Sequence, residues 1–142
     1  MGKILCATRG GEASRRTQEE AIKLAKERGD DLIFLYVVDL SFLDKTIVQH
    51  VVDVSSGLEQ MGDFLLALAQ EKAQQHGVNA QLVHRRGNTR EEIKAAAREL
   101  GVDLVVLGRP SGRKGEDFFA LEELRAFANE IEAETGVRVV IV

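Results

Sequence analysis

The stretch Ala97-Arg-Glu-Leu-Gly-Val-Asp-Leu-Val-Val-Leu-Gly108 closes a helix, stops it at a glycine and runs straight into a strand. Ile93, Ala96, Ala97 and Leu100 recur at helical spacing. Gly101 can take the left-handed conformation that ends a helix, and Leu104 to Leu107 is a short apolar run suited to a strand buried on both faces. An echo lies upstream: Ala25-Lys-Glu-Arg-Gly-Asp-Asp-Leu32 matches Ala97 to Leu104 in residue type at most positions. Gly77 and Gly136 also stand between a helical pattern and an apolar run. Helix, glycine stop and buried strand in repeated succession specify an α/β fold, with a parallel sheet, right-handed crossovers and helices on both faces.

Working outward, Lys3-Ile-Leu-Cys-Ala-Thr8 reads as the first strand, and Ser14 as the cap of a helix through Arg28. Asp31 to Val38 is a second buried strand. Residues 39–54 are irregular, with Leu40, Phe42, Leu43, Ile47, Val51 and Val52 spaced for a partial helix or a packed excursion. A helix over Ser55 to Gln75 follows, with Leu58, Met61, Leu65, Leu68 and Ala69 as its apolar face. His76 sits where it can serve the last carbonyls before Gly77. Asn79 to Arg85 is a less apolar third strand, suited to an edge. Asn88 or Thr89 caps the next helix, Leu104 to Leu107 is the fourth strand, and Leu121, Leu124, Ala128 and Ile131 mark a last helix. Val137 to Val142 is the fifth strand. No low-complexity segment or linker divides the 142 residues, which read as a single domain over 1–142 with strand one central and the strand order reversing between strands one and four.

Composition removes several function classes. The net charge is -4 and there is no tryptophan, so neither nucleic acid nor an anionic membrane is favoured as a partner. No apolar segment approaches the length of a membrane span, and the expected location is cytoplasmic. The single cysteine, Cys6, lies in an apolar run and reads as a core residue. The three histidines have no metal-ligand spacing, no Gly-x-Ser-x-Gly elbow is present, and Ser111 has no partner placed to activate it. The phosphate-binding Gly-Lys-Ser/Thr ending and the dinucleotide G-x-G-x-x-G are both missing. Arginines close the first and third strands, where a phosphoacceptor domain would need acids.

In an open parallel sheet, ligands bind beyond the carboxyl ends of the strands, where the strand order reverses. Two glycine-rich, basic loops bracket that crevice: Arg9-Gly10-Gly11, and the loop of Gly108, Arg109, Gly112, Arg113, Lys114 and Gly115. Val37, Val38 and Asp39, ending the second strand, border it. His84-Arg85-Arg86-Gly87 opens on the same rim further out, where three basic side chains could surround an anion but a solvated strand end is the favoured reading. Glycines let backbone N–H groups face an anion, and the cations supply a local positive field in an acidic chain. The same residues also suit a solvated surface loop.

The Ile4-Leu-Cys-Ala-Thr8 opening, Leu35-Tyr-Val-Val38, the turn from Gly87 into the helix at Ile93, and Asp103-Leu-Val-Val-Leu-Gly108 together resemble the universal stress protein family over nearly the whole chain. The resemblance implies a three-layer sandwich with a five-stranded parallel sheet of order 3-2-1-4-5. It also implies a homodimer formed through the last strand, Val139 to Val142. Family members that bind ATP carry G-x2-G-x9-G-[ST] after the fourth strand and an aspartate after the first. Counted from Gly108, this chain has Ser111 for the second glycine and Leu121-Glu122 for the final pair. Counted from Gly112, Gly115 fits but Arg125-Ala126 fails. Arg9 stands where the aspartate belongs.

A guanidinium in place of a carboxylate leaves ligand donors unpaired, a loss of roughly 1–3 kcal/mol. An alternative role for Arg9 is to pair with a carboxylate such as Asp39 at the end of the neighbouring strand, filling the crevice with a salt bridge. The expectation is therefore a non-enzymatic stress-response or regulatory protein with no assured cofactor, ATP being disfavoured by the broken motif. The alternatives are a module binding a nucleotide or another phosphorylated or carboxylated anion between strands one and four, and a slow ATPase.

Overall fold

Strands and helices alternate without exception along the described part of the computed structural model, which covers residues 2–8, 12–38, 48–109 and 121–142. The order is β1 (Lys3–Ala7), α1 (Glu12–Arg28), β2 (Asp31–Val38), α2 (Val48–Gln75), β3 (Ala80–Arg86), α3 (Thr89–Glu99), β4 (Leu104–Leu107), α4 (Leu121–Thr135) and β5 (Arg138–Ile141). All neighbouring strands run parallel in the order β3-β2-β1-β4-β5, with the reversal between β1 and β4. β3 is an edge, as its weaker apolar pattern predicts.

Three of the four glycine stops share one physical form. Gly29, Gly77 and Gly101 adopt φ of 68°, 74° and 62°, and in each case the next residue's amide reaches back five residues to an alanine carbonyl. These bonds are Asp30 to Ala25 at 3.0 Å, Val78 to Ala73 at 2.9 Å and Val102 to Ala97 at 3.4 Å. A left-handed residue followed by this bond satisfies the orphan carbonyls of a helix end and turns the chain back toward the sheet. Two of these stops also deliver an aspartate to the start of β1. Asp30 accepts from the Gly2 amide at 3.0 Å and Asp103 from the Lys3 amide at 2.8 Å.

Alternation along each strand divides the core into two layers. Ile4, Cys6, Leu32, Phe34, Tyr36, Leu104 and Val106 face α1 and α2. Leu5, Ile33, Leu35, Val105 and Leu107 face α3 and α4, against Ile93, Phe127 and Ile131. Each such side chain removed from water contributes about 1.5–3 kcal/mol. A buried cation joins α3 to α4: Lys94 Nζ lies 2.6 Å from Glu130, 2.9 Å from Glu134 and 3.1 Å from Glu91. Those carboxylates, Glu130 first, hold the ammonium well above the ordinary lysine range.

Several sequence expectations shift. α1 begins at Glu12, so Ser14 lies inside the helix on its buried face and is not its cap. α2 begins at Val48 and absorbs Val51 and Val52, while residues 39–47 lie outside the described residues. Asn88 caps α3, its side chain accepting from the Glu91 amide. On α2, Met61 and Leu68 are exposed at 45% and 47%, contrary to the expected core face. Of that face Ala69 is buried and Leu65 packs against the core as expected, and the buried row is Gly62, Leu66, Ala69 and Ala73. Two apolar rows share this helix, and the one carrying Gly62 faces the sheet, where the Tyr36 ring approaches so closely that a Cβ on Gly62 would collide with it.

Candidate functional site

The carboxyl ends of β1 and β4 meet the first turns of α1. Ser14, Thr17, Gln18, Ala21, Ile22 and Ala25 form one buried helical face, polar at its start and apolar beyond. The polar half lies over the strand ends: Gln18 Nε2 donates to Thr8 Oγ1 at 2.5 Å, just past β1. Thr17 presses on Gly108, just past β4, so closely that a Cβ there would collide with its hydroxyl. Sequence reasoning missed Thr8, Thr17 and Gln18. For the helix the available signal was Ser14, Thr17 and Gln18, three polar residues in register with apolar Ala21 and Ala25, all at the end nearest the switch point.

The start of the basic loop is fixed. Val142 donates to the Leu107 carbonyl at 2.9 Å and the Arg109 amide donates to Val142 at 3.0 Å, extending the β4–β5 ladder to the exposed Arg109. Across the crevice, Thr8 donates to Leu35 and Gly87 to the carbonyl of buried Val38, with Val37 half-buried beside it. Of the predicted site residues, Val37, Val38, Gly108 and Arg109 therefore flank the strand ends as expected. Arg9, Gly10, Gly11, Asp39, Gly112, Arg113, Lys114 and Gly115 lie outside the described residues, as does the Arg9–Asp39 pairing.

The rim beyond β3 does not gather its basic side chains. Successive residues point to opposite faces of the sheet. His84 turns toward α2, with Nδ1 3.5 Å from Asp63 and its ring 5.9 Å from Tyr36. Arg85 turns toward α3 and is held by Glu92 at 2.8 Å and Glu99 at 2.7 Å. The Glu99 carboxylate, then that of Glu92, raises the Arg85 pKa, and Arg85 lowers that of Glu99.

Leu121 and Glu122, at the positions of the family's final Gly-Ser/Thr pair, open α4. Leu121 is exposed, and Glu122 and Glu123 place carboxylates in the first turn, where the helix dipole favours anions. Glu123 lies 3.6 Å from Arg90, whose guanidinium stands over the Phe127 ring at 5.9 Å. Among the described residues no His, Cys, Asp or Glu group could hold a metal ion, and no helix is long and apolar enough to cross a membrane. Cys6 is fully buried, and desolvation pushes its thiol up to about 12.

This architecture has relatives. The family model described as "Universal stress protein family" matches residues 1–139. Universal stress protein YxiE of Bacillus subtilis is 32% identical over 116 residues, spanning 76% of this chain and 78% of that protein. Among solved structures, universal stress protein UspA of Lactobacillus plantarum superposes with a TM-score of 0.80 at 15% identity, covering 99% of this chain and 97% of its own. An Arabidopsis thaliana universal stress protein family protein with AMP bound gives 0.67 at 14% identity, covering 100% and 91%. Sheet order, glycine-stopped crossovers and the match along nearly the whole sequence agree: this chain belongs to the universal stress protein family.

Proposed function

We propose that the chain is a non-enzymatic stress-response or regulatory protein of this family, acting in the cytoplasm as a homodimer, that does not bind ATP in the family's usual pose. The observation that carries this reading is the start of α4. Where the family pattern asks for a glycine and a hydroxyl to wrap phosphates, this chain sets Leu121 and Glu122 at a helix N-terminus already supplied with carboxylates. A phosphate is repelled by Glu122 and Glu123, the Leu121 side chain stands where the pattern keeps a bare backbone, and the hydroxyl donor is lost to Glu122. Arg9 in place of the aspartate adds unpaired ligand donors, and together these cost at least an order of magnitude in affinity, about 1.4 kcal/mol. Equilibrium titration with ATP and magnesium at near-physiological salt tests the reading. No saturation in the micromolar range is expected, and micromolar affinity or nucleotide retained through purification overturns it. Nucleotide turnover above the background of an Arg109→Ala control would overturn the non-enzymatic reading.

The second reading keeps a small anionic ligand at the same crevice. It is favoured by exposed Arg109, whose backbone is pinned by Val142, beside Arg113 and Lys114 in the sequence, and by the AMP bound to the Arabidopsis relative. Thermal shifts with AMP, cyclic AMP, inorganic phosphate and organic acids address it. A stabilising ligand whose effect is lost in the Arg9→Ala, Arg109→Ala double variant supports it, and no response to any of them ends it.

A further inference from the structure

The β4–β5 ladder determines which groups of the last strand face outward. In a parallel pair, alternate residues turn both N–H and C=O to the neighbouring strand. Val142 uses its N–H on Leu107 and its C=O on Arg109, so Val140 and Arg138 share that orientation, and Val139 and Ile141 turn their backbone groups to the open edge. One of those outward groups is already taken. The Val139 amide donates to Glu132 Oε2 of α4 at 3.2 Å. Glu132 is exposed, lies one turn before the helix end and reaches past it to the strand. The α4–β5 turn has its own fastening: Thr135 Oγ1 donates to Ile131 and accepts from Val137. The Glu132 contact is additional to that closure.

We propose that Glu132 is a guard on the β5 edge, which a second copy of this chain must displace to pair there. This rests on the homodimer reading above. The occupant is a second β5 because the edge is self-complementary. An antiparallel pairing centred on Val140 sets the Val139 N–H of each copy against the Ile141 carbonyl of the other, and each Ile141 N–H against a Val139 carbonyl, so all four outward amides find acceptors in an isologous contact. The half-buried side chains of Val139 to Val142 would gain cover from the same contact. Until then the carboxylate occupies the Val139 amide, and an apolar strand edge that would otherwise invite indiscriminate pairing is blunted.

Removing the guard tests this by sedimentation equilibrium of the full chain, with circular dichroism as the check on folding. Glu132→Ala lowers the dimer dissociation constant about tenfold, since each dimer loses two guards worth a factor of about three each. Adding Val139→Pro, which deletes an outward amide that the β4 ladder does not use, abolishes that gain. If the wild type dimerises and Glu132→Ala does so equally or less tightly, the guard is refuted while the homodimer stands. A gain that survives Val139→Pro refutes it too, by moving the contact elsewhere. If neither the wild type nor Glu132→Ala associates, both the guard and the homodimer fall.

Discussion

A methyl group on Gly108 probes the junction on which the candidate site is built. In Gly108→Ala the new Cβ falls on the Thr17 hydroxyl, with Thr17 Cβ at 3.2 Å and Cγ2 at 3.4 Å. Neither side has an easy retreat. Thr17 is buried and β-branched, so its χ1 is stiff, and Gly108 lies between two backbone bonds to Val142 of 2.9 and 3.0 Å. Overpacking of this kind costs about 1–3 kcal/mol. With an unfolding entropy of about 2.1 cal/mol/K per residue over this chain, that corresponds to a fall in Tm of about 3–10 °C.

Thermal unfolding of wild type, Gly108→Ala, Thr17→Ala and the double variant measures it. The hydroxyl is the atom in conflict, so the double variant recovers about 1 kcal/mol or more relative to the sum of the single losses. Additivity within about 0.5 kcal/mol would refute the close approach as the reason for glycine at this position.

Lys94→Ala should lower the urea midpoint more than Glu91→Gln, Glu130→Gln or Glu134→Gln alone, because it leaves three carboxylates facing one another. Equal effects would argue against a shared cation. Asp30 is held below its ordinary value of 3.8 chiefly by Arg28, with help from the Gly2 amide. A depressed carboxyl pKa stabilises the fold fully above 3.8 and loses that effect as pH falls through the depressed value. The gap in urea midpoint between wild type and Asp30→Asn should therefore be open at neutral pH and narrow in acid; a gap independent of pH contradicts it. Cys6, with its thiol raised to about 12, should resist a thiol reagent in the native state and react as the chain unfolds in urea. Rapid native labelling would mean that the β1 layer opens.

Part of the candidate site was legible in advance because it is a matter of position. Strand ends in a parallel sheet follow from the order of elements, so Val37, Val38, Gly108 and Arg109 could be assigned to the crevice before any coordinate was known. Thr17 and Gln18 were not assigned, since polar residues on a helix face do not by themselves show what lies opposite them. They are buried because the first turns of that helix lie over strand termini, where polar backbone and Thr8 Oγ1 supply partners. His84 and Arg85 looked like one cationic cluster in the chain and are separated by the pleat.

The sequence by itself determined the element order, the glycine stops and the two-layer core, because each is local: a helical period, a left-handed residue, an apolar run buried on both faces. It also exposed the departures from the nucleotide pattern at Arg9, Ser111 and Leu121-Glu122. Only the tertiary structure decided which of two apolar rows of α2 is core. The choice depends on what lies opposite, and the Tyr36 ring admits the row carrying Gly62. The Glu132 contact with Val139 likewise belongs to the fold alone, for it joins a helix side chain to an outward amide whose direction is set by the ladder with β4.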